Sequence, residues 1–207
     1  MFGGSGNDQI DIRGAQYIYA GSFAAHLTKV TSQVDSGEGN DQVFVGGETS
    51  GNAVVDGGSG LDELTIDLSG TNNSNVYVRW DFDRNGSFDQ DFALFESAVA
   101  SGDPIRAYTG YLNNNYITSW VDISNFEGVH YRGGAVGDAF FGNGDFKVLS
   151  ARGGGGTDTL YADWSSSTQD IIWNLRVANE SEKTLVNGVV VQSIERVVLR
   201  TGLGDDQ

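Results

Sequence analysis

The chain has 207 residues, enough for one domain or two small ones, and sets 12 Lys and Arg against 28 Asp and Glu for a formal net charge of −16. A surface this acidic repels nucleic acid and anionic membranes, and its self-repulsion opposes compaction unless cations intervene. Cysteine is absent, which excludes disulfides and thiolate metal sites, and no apolar run approaches the roughly 18 residues of a membrane span. No signal peptide follows Met1, and the chain opens inside one repeat and stops inside another, as a piece of a longer protein would.

Thirty glycines, one proline and few apolar runs at helical spacing predict an all-β chain. One phrase recurs along it: glycine-glycine-x-glycine-x-aspartate, then an apolar residue. It reads GGSGNDQID (3–11), SGEGNDQVF (36–44), GGSGLDELT (57–65), a looser GGAVGDAFF (133–141), GGGGTDTLY (153–161) and TGLGDD (201–206). Glycine permits a tight turn at positive φ and lets carbonyls point inward. The aspartate adds a charged oxygen, and the apolar residue two places on opens a buried strand. Inward carbonyls with carboxylates suit a hard cation, above all calcium.

In chain order, short strands are predicted at 9–12, 17–19, 42–45, 53–55 and 64–68, with Leu64, Ile66 and Leu68 on one face. Turns recur about every ten residues beyond each strand, the rung spacing of a β-solenoid. AGSFAAHLTKV (20–30) fits either a short helix or an irregular rung. A larger module is also repeated. GGSGLDELTIDLSGT (57–71) resembles GGGGTDTLYADWSSS (153–167), and ISNFEGVHYRGGAVGD (123–138) resembles VQSIERVVLRTGLGDD (191–206). Both return phrases place an apolar residue before a glutamate, Phe126-Glu127 and Ile194-Glu195. The organisation expected is solenoid rungs over 1–75, a β excursion over 76–121, and a second unit with a shorter excursion over 122–207.

The repeated phrase resembles the nonapeptide of the repeats-in-toxin (RTX) calcium-binding family, and the resemblance covers about a third of the chain directly. It implies a parallel β-roll or β-solenoid with glycine-rich calcium turns, here interrupted by β-hairpin or small-sheet excursions. It also implies several bound Ca2+ ions and export to the outside of a bacterial cell. Carried over position by position, it makes Asp8, Asp41, Asp62, Asp138, Asp158 and Asp206 metal ligands. Gly4, Gly6, Gly37, Gly39, Gly58, Gly60, Gly154 and Gly156 become the backbone of the calcium turns. Val136 departs from the pattern, standing where a glycine is expected before Asp138, and Asp206 lacks a following turn with which to share an ion.

Within the excursion, WDFDRNGSFDQDF (80–92) spells D-x-D-x-N-G-x-x-D. Asp81, Asp83, Asn85 and Asp89 stand at the spacing of the first part of an EF-hand loop, with Gly86 at its sharp turn. Phe92 occupies the twelfth position where an EF-hand has glutamate, leaving either Asp91 or Glu96 as a substitute or a short β-flanked calcium loop instead of an EF-hand. The alternation of Tyr77, Arg79 and Asp81 with Val78, Trp80 and Phe82 argues for a strand and against flanking helices. The competing reading is an Asn85-Gly86 hairpin turn with exposed aspartates.

YTGYLNNNYITSW (108–120) sets Tyr108, Tyr111, Tyr116 and Trp120 among asparagines, either as a carbohydrate site or as packing for a hairpin. Trp164 and Trp173 read as packing residues. His26 and His130 belong to no HExxH zinc motif, and no nucleophile elbow or phosphate-binding glycine loop occurs. The sequence therefore predicts a non-enzymatic, calcium-dependent structural module whose partners are calcium and, in the alternatives, a surface glycan or neighbouring copies of itself. An adhesin-type carbohydrate-binding module and an accessory module of a secreted enzyme remain the two alternatives.

Overall fold

The computed structural model describes residues 1–13, 31–46, 52–70, 77–109, 112–113, 116–117, 119–173, 181–185 and 187–206. The first three glycine turns each join two strands: β1 (Phe2–Ser5) to β2 (Gln9–Asp11), β3 (Thr31–Glu38) to β4 (Gln42–Gly46), and β5 (Asn52–Asp56) to β6 (Glu63–Asp67). Next come β7 (Arg79–Asp81), helix α1 (Phe92–Ser101), β8 (Ile105–Tyr108), β9 (Leu112–Asn113) and β10 (Tyr116–Ile117). The remainder holds β11 (Trp120–Ser124), β12 (Gly128–Arg132), β13 (Ala139–Gly142), β14 (Lys147–Arg152), β15 (Thr159–Asp163), β16 (Lys183–Thr184), β17 (Val190–Gln192) and β18 (Arg196–Arg200). The predicted strand at 17–19, the segment 20–30 and His26 lie outside the described residues.

The chain is predominantly β, in parallel and mixed sheets, with one helix among the described residues. One sheet runs β1-β3-β5-β11-β8-β7, parallel through β11 and antiparallel beyond. A second runs β2-β4-β6-β12-β14-β17-β16 and is parallel up to its last pair. A third, β13-β15-β18, is wholly parallel, and β9 pairs with β10 in antiparallel fashion. No helix among the described residues is long and apolar enough to cross a membrane.

In-phase parallel pairing stacks like on like. Ile10, Val43, Leu64, Val129 and Val148 stand opposite one another across five strands, and all are buried. Val34, Val55 and Ile123 form the corresponding column in the first sheet. Leu64, Ile66 and Leu68 share a fully buried face as expected. Thr65 and Asp67 are buried too, because β6 lies between β4 and β12.

A single apolar cluster joins these columns to the 77–109 segment. Trp80 is fully buried and donates its indole N–H to the Ala139 carbonyl at 2.8 Å. Phe82 packs on Phe141 and Phe95 at ring separations of 5.0 and 5.2 Å, and Phe141 stacks on Tyr161 at 4.2 Å. Trp164 and Trp173 pack at 6.4 Å.

Helix α1 corrects the expectation of an all-strand excursion. The alternation of residues 77–82 does produce β7, but it ends at Phe82. Asp91 then takes an extended conformation, and its carboxylate accepts the Ala93 and Leu94 N–H groups at 2.9 and 3.4 Å, an N-cap. Three alanines and a leucine favour the helix that follows, and Gly102 closes it at φ 71° with its N–H on the Val99 carbonyl. Asp91 and Glu96 are thus engaged away from the preceding loop: one caps the helix and the other pairs with Arg200. Phe92 is the first helical residue, with the Arg200 guanidinium 4.6 Å above its ring.

Replacing the cap, Asp91→Ala, is expected to cost about 1 kcal/mol in urea denaturation.

Candidate metal centres

Five of the six glycine phrases join a strand of one sheet to a strand of another, and they stack in two runs, the turns at 3–8, 36–41 and 57–62 in one and those at 133–138 and 153–158 in the other. All eight glycines named for the calcium turns, from Gly4 to Gly156, adopt positive φ. The closeness of the stacking is clearest at Gly58, where φ is 85° and an added Cβ would lie 2.0 Å from the Gly37 carbonyl oxygen. Backbone touches backbone in these turns.

The sixth-position aspartates form a ladder. Asp8 donates its backbone N–H to Asp41 Oδ1 at 2.7 Å, and Asp41 donates its own to Asp62 Oδ1 at 2.8 Å. A second run repeats the pattern, with Asp138 N–H on Asp158 Oδ1 at 2.7 Å. Asp206 Oδ1 accepts the Ile171 N–H at 2.8 Å. One oxygen of each of the Asp41, Asp62, Asp158 and Asp206 carboxylates is thereby consumed. Of the rest, Asp8 Oδ2, Asp41 Oδ2, Asp62 Oδ2 and Asp158 Oδ2 are buried and have no hydrogen-bond partner among the described residues. Leaving such an acceptor without a partner costs about 1–3 kcal/mol, more when it is charged. Asp138 differs: Oδ1 accepts the Val78 N–H and Oδ2 accepts the Gly134 N–H at 3.0 Å, so both oxygens have donors.

Two glutamates complete the ladder, a role not foreseen from the sequence. Glu127 Oε2 accepts the Asp62 N–H at 2.7 Å, and Glu195 Oε2 accepts the Asp158 N–H at 2.8 Å. Their turns are shorter and lack the glycine phrase. Asn125 and Ser193 supply the positive φ (55° and 50°), and their carbonyls abut Gly57 and Gly153. The longer glutamate side chain reaches from a shorter turn to the amide that an aspartate meets elsewhere. The paired return phrases carried this signal.

Burial sets the electrostatics of the ladder. It pushes Asp158 up to about 7, with the charges of Asp138 and Glu195 adding to the rise. Asp138 is also pushed up to about 7 by burial, against the pull of its Val78 and Gly134 hydrogen bonds. Asp62 is raised by burial and by the neighbouring Asp41, Glu127 and Asp56 charges.

The second predicted site lies in the loop after β7. Single carboxylate oxygens of Asp81, Asp83 and Asp89 lie within 4.8 Å of one another. The Asp89 N–H donates to the Trp80 carbonyl at 2.7 Å, closing the loop, and Asp89 Oδ2 accepts the Phe82 N–H at 2.7 Å. Asp81 is fully buried. Its Oδ2 accepts the Gly86 N–H at 3.0 Å and the Tyr108 hydroxyl at 2.9 Å, while Oδ1 has no partner. Asn85 turns inward on the loop, donating to Asp83 Oδ2 at 2.8 Å and accepting the Ser87 N–H. Positive φ at Arg84 and Gly86 makes this a wound loop, not a two-residue hairpin.

The aromatic stretch is divided. Tyr108 is buried, with its hydroxyl on Asp81 and its ring edge-on to Phe88 at 5.5 Å. Trp120 is partly buried beneath the Arg106 guanidinium, 4.1 Å above its ring. Tyr111 lies outside the described residues, as does the side chain of Tyr116. His130 meets Ser150 Oγ at 2.9 Å and lies 3.6 Å from Glu63, with its pKa lowered by burial.

Gly58→Ala should cost about 2–3 kcal/mol by denaturation in excess calcium, from strain at positive φ and the clash with the Gly37 carbonyl. The raised aspartates also set a pH response for calcium-stripped protein. Unfolded aspartate titrates near 4. Between there and about 7 the folded state holds protons on Asp138 and Asp158 that the unfolded state has lost. Stability must then fall as pH rises through that window. The lowered pKa values of Asp11, Asp67 and Asp163 act only below the ordinary carboxylate value of 3.8, and His130 opposes the trend only below its ordinary 6.5. A melting temperature that drops between pH 5 and pH 8 is the expected result in thermal scans of stripped protein.

Comparison of the chain with protein-family models, with curated proteins and with solved structures gives no match. What the turns do has to follow from their own chemistry.

Proposed function

We propose that this chain is a calcium-binding, calcium-stabilised structural module of a larger secreted or cell-surface bacterial protein, related to the RTX repeats and built as a β-solenoid. Its function is to fold where calcium is abundant. The observation that carries this reading is the set of buried, unpartnered Oδ2 atoms on Asp8, Asp41, Asp62 and Asp158. Each belongs to a glycine turn at the sixth position of the repeated phrase, next to backbone that carries carbonyl oxygens. Carboxylate and carbonyl oxygen together are the donor set of a hard cation, and calcium accepts the irregular geometry of a turn better than magnesium does. The stepwise parallel pairing β2-β4-β6-β12-β14-β17 is the strand order that a solenoid produces.

The mechanism follows from linkage. Without cations the turn carboxylates must either ionise in a low-dielectric place or take up protons. Calcium replaces both costs with ligation, so binding free energy becomes folding free energy. Glu127 and Glu195 would then end each series of shared sites. Far-UV circular dichroism of stripped protein, titrated with calcium against a magnesium control, tests this. A calcium-specific gain of β signal and a rise in melting temperature of well over 10 °C are expected, since several kcal/mol are at stake in a chain of this size. Stripped protein that is already fully folded and indifferent to calcium would refute the reading.

A further inference from the structure

The Asp81–Asp89 loop is built differently from the ladder. A ladder site would be shared between two stacked turns, whereas the loop gathers three carboxylates from one short stretch of chain. The three oxygens lie within 4.8 Å of one another, close enough for small side-chain movements to bring all three onto one calcium ion, which binds oxygen at about 2.3–2.6 Å. The cluster is not neutralised from within. Arg84, in the middle of the loop, turns away to Asp122, and Arg106 binds the same carboxylate at 2.7 and 2.9 Å. No ion pair among the described residues reaches Asp81, Asp83 or Asp89.

The independent sign of a ligand is Asp81 Oδ1. Asp81 has no exposed surface, its other oxygen already accepts two donors, and Oδ1 accepts none. A buried carboxylate oxygen without a donor, in a trio of carboxylates without a basic side chain, requires a positive charge from solution. Asp83 is exposed and Asp89 partly so, which gives an ion a way in.

We propose that this loop is a self-contained site for one hard divalent cation, calcium by its oxygen donors, held by Asp81, Asp83 and Asp89. Its occupancy ties β7, β8 and α1 to the core. Asp81 reaches β8 through the Tyr108 hydroxyl, and Asp89 holds the Phe82 amide, whose ring packs on Phe95 of α1. Asp91, two residues beyond Asp89, begins the helix. An ion that fixes the loop therefore fixes three elements at once.

The test counts ions on the full chain by native mass spectrometry and calorimetric titration, with calcium chloride and, separately, magnesium chloride. The wild type is compared with Asp83→Asn/Asp89→Asn and with the ladder variant Asp62→Asn. The double variant should bind one calcium fewer than the wild type, while Asp62→Asn keeps the loop ion. If the ladder binds nothing, the wild type should still bind one ion and the double variant none, so the two readings fail separately. Equal calcium counts in wild type and double variant would overturn the loop site, and a loss seen only with magnesium would overturn its assignment to calcium. Should the double variant not fold, hydrogen exchange on the wild type decides. Calcium should slow the Phe82 and Gly86 amides at least tenfold in wild type and in Asp62→Asn alike, and unchanged rates at these amides would sink the proposal.

Discussion

The same hydrogen bond recurs at each step of the stacked turns, from the backbone N–H of an aspartate to the side-chain carboxylate of its counterpart one turn on. The backbone adds a second bond at the same place: the Asp8 carbonyl accepts the Gln42 N–H, the Asp41 carbonyl the Glu63 N–H, and the Asp138 carbonyl the Thr159 N–H. Side chain and main chain together fix the register before the strand begins. Two residues later the apolar side chains fall into line, Ile10 on Val43 on Leu64 on Val129. A slip of one residue would turn every one of them to the opposite face. The core thus depends on a polar contact at its margin, and that contact leaves the second carboxylate oxygen behind in the interior.

The glycines explain why no side chain comes to meet that oxygen. In the turns, carbonyl oxygens occupy the places where a Cβ would stand, at Gly37 and Gly58 as at Gly133 and Gly153. A lysine or arginine has no path in. Among the described residues, the arginines that form ion pairs do so elsewhere: Arg13 with Asp11 and Asp67, Arg84 and Arg106 with Asp122, Arg132 with Asp67, Arg152 with Glu182, and Arg200 with Glu96 and Asp163. The turn carboxylates are left to protons or to small cations. Burial raises Asp158 and Asp138 until protons compete near neutrality.

The legible part of this architecture was the part written in glycine. A phrase that takes positive φ at its second and fourth positions in four of its six copies is visible as letters, and so are the strands that leave it. Glu127 and Glu195 were not legible as ladder members, because their turns achieve positive φ with Asn125 and Ser193 and are shorter than the aspartate turns. Helix α1 was missed for a related reason. An aspartate reads alike as a metal ligand and as a helix cap, and only the extended backbone of Asp91 separates the two. Its ten residues bury chiefly Phe95, too little of a stripe to reveal a helix by periodicity.

The inserted segment is less an interruption than a beginning. Val78 stands where the next ladder needs an aspartate: its N–H donates to Asp138 Oδ1, and its carbonyl accepts the Ala139 N–H. Backbone alone can do this, so the position carries no recognisable letter. Trp80 then adds its indole bond to the Ala139 carbonyl, binding the same point from the side. Ile171 repeats the device for Asp206 through its own N–H. The second ladder therefore runs from the Val78 amide of the insertion through Asp138 and Asp158 to Glu195, and the first likewise ends at a glutamate, Glu127. The 77–109 segment and the second ladder are joined at Val78, through its N–H on Asp138 Oδ1 and its carbonyl on the Ala139 N–H.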